Sequence, residues 1–470
     1  MQSYSPSLGP VNQEMKSLIM LSAPVMTTSL LIYCRTLVSL LFATWLGKTE
    51  LSGTLLAFTL ANVTGYSVVR GLSMGMDPIC SQAFGAKRFH VVVQTYQKGL
   101  SLVSVACVPL SILWLKIGPL LLAVGQNPEV AKVTGVFMAS LIPELFAQSV
   151  LQTTRTFLRS QGLTMPATVS SLFATILHLP INYFLVIHLN LGIRGVAVGI
   201  IWSTVIMDLG LFIYILFSDQ SLKPWHGWCL FSREVQDQKT LQQLLSLAVS
   251  SCIALCLDWW CYGIMLLLSS FLVNSEVNIA AMGIILHTTG FFYAILFSLS
   301  SGLSTLIGHA LGAGEPGRAR NTSGVGIAIS AAFGLLVFVS LTALRSIQGK
   351  MYTDDPQIRG LVYLGLPIMG LCEVANAPQT AMAGILAGAA CPQKSARIKL
   401  CSFYLIGIPA AITLAFKQGL GLRGILVGLL ASQISCVVLM GNALMKMDWK
   451  QQAKRAQELT VGTSSSAKDD

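Results

Sequence analysis

The sequence predicts an all-α integral membrane protein: twelve transmembrane helices in two homologous six-helix lobes, related by pseudo-two-fold symmetry along the membrane normal. Three observations predict it. The 470-residue chain is 54% hydrophobic and only 10% charged, where soluble domains carry roughly a quarter charged residues. Apolar stretches of the ~20 residues a helix needs to cross a bilayer recur along it. One pattern also occurs twice: Leu-Gly-Ile-Arg-Gly-Val-Ala-Val-Gly-Ile (Leu191 to Ile200) returns as Leu-Gly-Leu-Arg-Gly-Ile-Leu-Val-Gly-Leu (Leu420 to Leu429), 229 positions later. The same spacing carries Pro180 onto Pro409 and Glu144 onto Glu373, a shared register over some fifty residues. Two similar, apolar halves are the mark of solute carriers far more than of enzymes.

Taken in order, the spans read as 18–46, 54–80, 97–124, 130–153, 166–188, 195–217, 243–272, 279–310, 322–345, 358–388, 400–416 and 422–446. Six spans per half give both halves the same orientation in the membrane. The chain accordingly divides into a cytosolic tail (1–15), a first lobe (16–219), a cytosolic connector (220–243), a second lobe (244–447) and a cytosolic tail (448–470). The connector holds Trp225, Trp228 and the mixed run Arg233 to Lys239, an amphipathic pattern suited to the headgroup layer. The last twenty residues, rich in Ser, Lys, Gln and Asp, read as disordered. Small-xxx-small pairs (Gly71/Gly75, Gly195/Gly199, Gly308/Gly312, Gly384/Gly388, Gly424/Gly428) predict close helix packing.

A net charge of +11 invites a nucleic-acid reading that its distribution excludes. Lys87, Arg88, Lys223, Arg233, Lys239, Arg318, Arg320, Lys394, Arg397 and Lys399 fall in the even-numbered connections. Lys446, Lys450, Lys454 and Arg455 follow the last span. The opposite face has fewer basic residues and offsets them with Glu50, Glu129, Glu276, Asp354 and Asp355. Positive charge on one side of the membrane is topology, and it puts both termini in the cytosol. No signal-peptide pattern opens the chain. The eleven cysteines show no metal-binding spacing, and no nucleophilic triad, metal cluster or dinucleotide fingerprint supports an enzyme.

Carboxylates near the bilayer centre cost about 2.5–3.5 kcal/mol on insertion scales, so they face protein or water and commonly serve a function. Two lie inside spans of the second half, Asp258 and Glu373. Tyr262 follows Asp258 one turn on, while Glu373 opens a polar stripe with Asn376 and Thr380 at i+3 and i+7. Gln379 is close by. These residues suit a proton or cation site; the plainer reading is an interhelical hydrogen-bond network. His287 and Trp259 are further candidates for the wall of a substrate cavity, with ordinary packing as the alternative. Nothing acidic in the first span matches Asp258, and Glu144 is read as a partner for Arg155. Asp77 is read as a local cap or ion-pair partner.

At these residues the chain resembles the multidrug and toxic compound extrusion family, in its plant detoxification-protein form. The resemblance runs from about Glu14 to Trp449. It is carried by Met74-Gly-Met-Asp-Pro-Ile-Cys80, Gln82-Ala-Phe-Gly-Ala-Lys-Arg88, Leu257-Asp-Trp-Trp260, Tyr352-Thr-Asp-Asp-Pro356 and Gly370-Leu-Cys-Glu-Val-Ala-Asn-Ala-Pro-Gln379. It implies alternating access between two lobes, with efflux of organic cations, plant metabolites or hormones in exchange for protons, or less often sodium. It implies no bound cofactor, and a small organic substrate and the bilayer as partners of a monomer. It also implies that Asp258 and Glu373 form the proton site of the second lobe. The sequence departs from the family where Asp258 replaces the usual Glu, Ser81 and Ala387 replace a usual Gly and Arg, and Gly263 stands near a frequent second Glu.

The expected function is therefore a proton-coupled exporter in the plasma membrane or an endomembrane (vacuole, late endosome or Golgi). Two rivals are a lipid-linked oligosaccharide flippase, which calls for a basic first-lobe cavity where Arg35 and Arg70 are the candidates, and a non-transporting adaptor or sensor.

Overall fold

The computed structural model describes residues 10–224 and 238–461, and among them every regular element is helical. Twelve membrane-spanning elements follow one another: α1 (Val11–Leu46), α2 (Lys48–Gly85), α3 (Phe89–Leu115), α4 (Pro128–Ser140 with Ile142–Ser160), α5 (Met165–His188), α6 (Ile193–Phe217), α7 (Leu241–Ser270), α8 (Ser275–Gly312), α9 (Pro316–Ala343), α10 (Pro356–Gly388), α11 (Pro392–Lys417) and α12 (Leu422–Met445). Eleven pass the length and hydropathy criteria alone, and α4 makes twelve as one span bent by 47°. Its bend falls at Leu141, two residues before Pro143, since proline cannot donate the helical hydrogen bond. A thirteenth helix, α13 (Trp449–Val461), closes the described chain.

The helices form two compact units. One comprises Ala23–Cys252 with the residues from Thr460 onward, and the other Ile253–Leu459 with the residues up to Ser22. The division falls inside α1 and α7 rather than at 219 and 244. The first turns of α1 thus pack with the C-terminal unit, and the first turns of α7 with the N-terminal one. In the C-terminal unit α10 is the central helix, packed against α8, α9 and α12. Its core runs through Met282, Leu366, Met369, Ile425 and Leu429. In the N-terminal unit α5 packs on α6, and the second arm of α4 lies against α3 and α6. That core includes Phe42, Trp114, Phe137 and Leu145.

The repeat is visible in backbone geometry. Gly192 and Gly421 both cap their helices at positive φ (56° and 57°) with ψ of −135° and −134°, a conformation that favours glycine. A Cβ on Gly199 would meet the Asn182 side chain, and one on Gly428 would meet the backbone of Ala411, the residue 229 positions after Asn182. The register is not gapless, however. Asn127 and Asp355 cap α4 and α10 before a proline, and the positive-φ residues Gly162 and Ala390 follow the same helices. Both pairs are 228 apart. Glu144 and Glu373, 229 apart, are therefore one residue out of step, about 100° around a helix.

Two terminal expectations also change. Residues 449–461 form a helix where the sequence reads as disorder. Asp448 caps it, accepting hydrogen bonds from the amides of Lys450 and Gln451, and Ala453 and Ala456 are buried. Trp449 packs against the core of the C-terminal unit at its start, and beyond it the buried face consists of small side chains, Ala453, Ala456 and Thr460, so its hydropathy is low. At the other end α1 begins within the region read as a tail. Its Glu14 is buried and accepts from Arg318 Nε at 2.9 Å and Thr322 Oγ1 at 2.9 Å. The connector's Trp225, Trp228 and Arg233 lie outside the described residues.

The close approach of α11 and α12 predicts an outcome. A Cβ on Gly428 would lie 2.4 Å from Ala411 Cα, so Gly428→Ala should destabilise the protein by about 1–3 kcal/mol. Gly441, with nothing within 4 Å of its Cβ position, should accept alanine without loss. Thermal unfolding in detergent checks both.

Candidate functional site

In the C-terminal unit the carboxylate of Asp258 on α7 meets a cation absent from the expected set. Lys399 Nζ lies 2.5 Å from Asp258 Oδ2 and also donates to the Ala254 carbonyl at 3.2 Å. Both side chains are buried, with Lys399 only 5% exposed. Lys399 had been assigned to a cytosolic connection. Pro392 instead starts α11 a full two turns earlier, and Lys399 directly precedes a π-helical segment (Leu400–Gly407) that widens the helix. Proline at the first helical position was the available signal. The Tyr404 hydroxyl donates to the Leu257 carbonyl at 3.2 Å, holding α11 against α7 beside the pair. Asp258 Oδ1 is buried without a hydrogen-bond partner among the described residues.

Glu373 on α10 is 2% exposed and belongs to a different set. Asn376 Nδ2 donates to its Oε2 at 2.9 Å, and Thr380 Oγ1 donates to Asn376 Oδ1 at 3.3 Å. The i+3/i+7 stripe is thus a continuous hydrogen-bonded chain. Asp258 and Glu373 have separate partners, and Tyr262 lies within electrostatic reach of both. Its hydroxyl accepts from Gln433 Nε2 at 3.0 Å. Gln379 is buried beside the stripe, and its Oε1 has no hydrogen-bond partner among the described residues. His287 and Trp259 stand apart from these groups: both are exposed, with His287 edge-on to Tyr352 and Trp259 edge-on to Tyr293.

The N-terminal unit holds a cavity of about 110 Å³ whose polar lining includes Arg35, Tyr66, Arg70, Glu144, Gln148 and Gln152. Glu144 Oε1 accepts from Gln148 Nε2 and Thr204 Oγ1, each at 2.8 Å. Its electrostatic partner is Arg35, and the expected pairing with Arg155 is not formed. Arg155 is surrounded by the like charges of Arg70, Arg159 and Arg35. Arg159 is neutralised by Asp77 at 3.0 Å, so that aspartate pairs with a residue 82 positions away on α4 rather than locally as expected. Asp208 on α6, which sequence reading passed over, lies within electrostatic reach of Glu144. Nearby, His178 bridges Ser39 at 2.9 Å and Ser203 at 2.6 Å, tying α5 to α1 and α6.

Comparison with known proteins agrees with this architecture. The MatE family model matches residues 24–184 and 250–413, one stretch in each half. Protein DETOXIFICATION 53 of Arabidopsis thaliana is 47% identical over 96% of this chain and 92% of its own length. Protein DETOXIFICATION 49 of the same plant is 42% identical over 97% and 90%. The crystal structure of the eukaryotic MATE transporter AtDTX14 superposes with a TM-score of 0.90 at 28% identity, covering 96% of this chain and 100% of that one. A Vibrio cholerae MATE transporter, VcmN, shares the fold at a TM-score of 0.80 and 17% identity over 96% and 99%. With both halves matched and relatives similar along nearly the whole chain, this protein belongs to the MatE family and is a multi-pass membrane transporter of the multidrug and toxic compound extrusion type.

Proposed function

We propose that the chain is a secondary active antiporter that exports organic cations, metabolites or hormone-like small molecules from the cytosol by alternating access, in exchange for protons. The observation that carries this reading is the buried Asp258–Lys399 pair, with Glu373 on the neighbouring α10. A charge pair inside apolar helices is held by its own neutrality. A proton on Asp258 removes that neutrality and leaves Lys399 as an isolated buried cation, a state costing about 3–5 kcal/mol. The helices carrying the two residues then favour an arrangement in which Lys399 reaches another acceptor or water. Loss of the proton restores the pair. A proton thereby discriminates between two states of one unit, as coupling requires. Among the described residues Glu373 has no cation within salt-bridge distance, and it supplies a second protonatable carboxyl, oriented by the hydrogen bonds of Asn376 and Thr380.

Reconstitution in liposomes with an imposed pH gradient tests this directly, with tetraphenylphosphonium as the transported probe. Flux should follow the gradient and disappear in Asp258→Asn combined with Glu373→Gln. Unchanged flux in the double variant would place coupling elsewhere, and no flux of any probe in a broad panel would favour the adaptor reading. Stability provides a second check. Asp258→Asn and Lys399→Met should each destabilise the protein by about 3–5 kcal/mol, while the double substitution recovers most of that loss. Additive losses would contradict the pair's role.

A further inference from the structure

We propose that the C-terminal unit binds an anionic phospholipid at a basic corner formed by Lys394, Arg397 and Lys446, where α11 begins and α12 ends. The ligand is a membrane glycerophospholipid whose headgroup carries a negatively charged phosphodiester.

α11 and α12 are consecutive spans that pack on one another, so the start of the first and the end of the second reach the same membrane surface. α13 closes this corner. Only Lys446, Met447 and Asp448 separate it from α12. Its Arg455 Nη1 donates to Cys391 Sγ at 3.6 Å, directly before Pro392 opens α11.

The exposed side of α11 shows which way its bases face. Lys394, Arg397, Cys401 and Leu405, spaced by three and four residues, share one face of the helix and are all exposed. Leu405 is 69% exposed, which inside a span means contact with acyl chains. One stripe therefore turns from apolar to basic as it reaches the membrane surface, and this sets Lys394 and Arg397 at headgroup depth. α12 repeats the pattern, with Val438 and Met445 exposed along the span and Lys446 exposed at its end.

The protein leaves these three charges unanswered. Among the described residues none of them forms an ion pair. From Ala389 to Val461 the sequence holds two acids, Asp448 and Glu458. Asp448 is engaged as a cap, accepting from the amides of Lys450 and Gln451. Lys394 and Arg397 also lie in the first two turns of α11, where the helix dipole opposes positive charge. An anion seated among the three bases relieves both repulsions. A phosphodiester suits the arginine fork and two flexible ammonium groups. The exposed Leu405 and Met445 receive its acyl chains, which a soluble anion lacks. Arg397 stands two residues before Lys399, so the lipid holds the helix end that carries the partner of Asp258.

Native mass spectrometry of the full chain, released from micelles carrying equimolar phosphatidylglycerol and phosphatidylcholine, tests the site. The wild type should retain phosphatidylglycerol in preference. Lys394→Gln combined with Arg397→Gln and Lys446→Gln should lower that preference about tenfold or more. Lys417→Gln with Arg423→Gln removes two charges at the opposite ends of the same helices and should leave most of it intact. Thermal unfolding in phosphatidylcholine alone checks that the triple variant folds; if it does not, Arg397→Gln by itself should lower the preference about threefold. No preference in the wild type overturns the proposal, as does an undiminished preference in the folded triple variant or, in its place, in Arg397→Gln. An equal loss in the Lys417/Arg423 variant reduces the effect to net charge and overturns the site. Displacement by free glycerol phosphate as readily as by phosphatidylglycerol overturns its assignment to a lipid.

Discussion

A charged side chain inside the bilayer has no water to turn to, and that constraint organises this molecule. Every carboxylate or amine buried in a span must be answered by another group of the protein. Asp258 is answered by Lys399, Asp77 by Arg159, Glu14 by Arg318, and Glu373 by the amide of Asn376. The three ion pairs join helices distant in sequence, so they fix which faces meet as much as the apolar core does, while the Glu373–Asn376 bond lies within α10. They are also the places where one proton changes the balance of forces by several kcal/mol, whereas apolar contacts are indifferent to pH.

The two units show how one scaffold diverges under that constraint. Their glycine-capped helices at Gly192 and Gly421 share backbone angles to within a degree, and Gly199 and Gly428, seven residues further on in each copy, admit the close approach of the preceding helix. Their polar interiors differ. The C-terminal unit answers one of its two membrane acids with a lysine and the other with an amide chain. The N-terminal unit sets Arg35 beside Glu144, with Arg70 and Arg155 within electrostatic reach of each other nearby. Backbone packing has been retained in both copies while the buried charges have been free to diverge.

Most of the fold was legible because apolar spans and the doubled Leu-Gly-x-Arg-Gly pattern report directly on membrane helices. The Glu373–Asn376–Thr380 chain was legible for a similar reason, since helical periodicity alone aligns those residues. Lys399 was not, because basic residues near span ends normally mark the cytosolic face, and its burial depends on tertiary contact with α7. Arg35 and Glu144 were visible as membrane charges, but their pairing was not: the one-residue slip between the copies turns Glu144 by about 100° relative to Glu373. His287 and Trp259 carried no signal that separates an outward face from a cavity wall. The helix at 449–461 was missed because after Trp449 its buried face is only Ala453, Ala456 and Thr460, a weak hydrophobic stripe.

The proposed antiport requires that proton binding at the Asp258–Lys399 pair and cargo binding be linked. Its most direct test is proton release on substrate binding, followed with a pH indicator in weakly buffered detergent solution as tetraphenylphosphonium is added to the purified protein. Stoichiometric release from the wild type, lost in Asp258→Asn while binding persists, is the predicted result. Binding without proton release, or release that survives in Asp258→Asn, would contradict it.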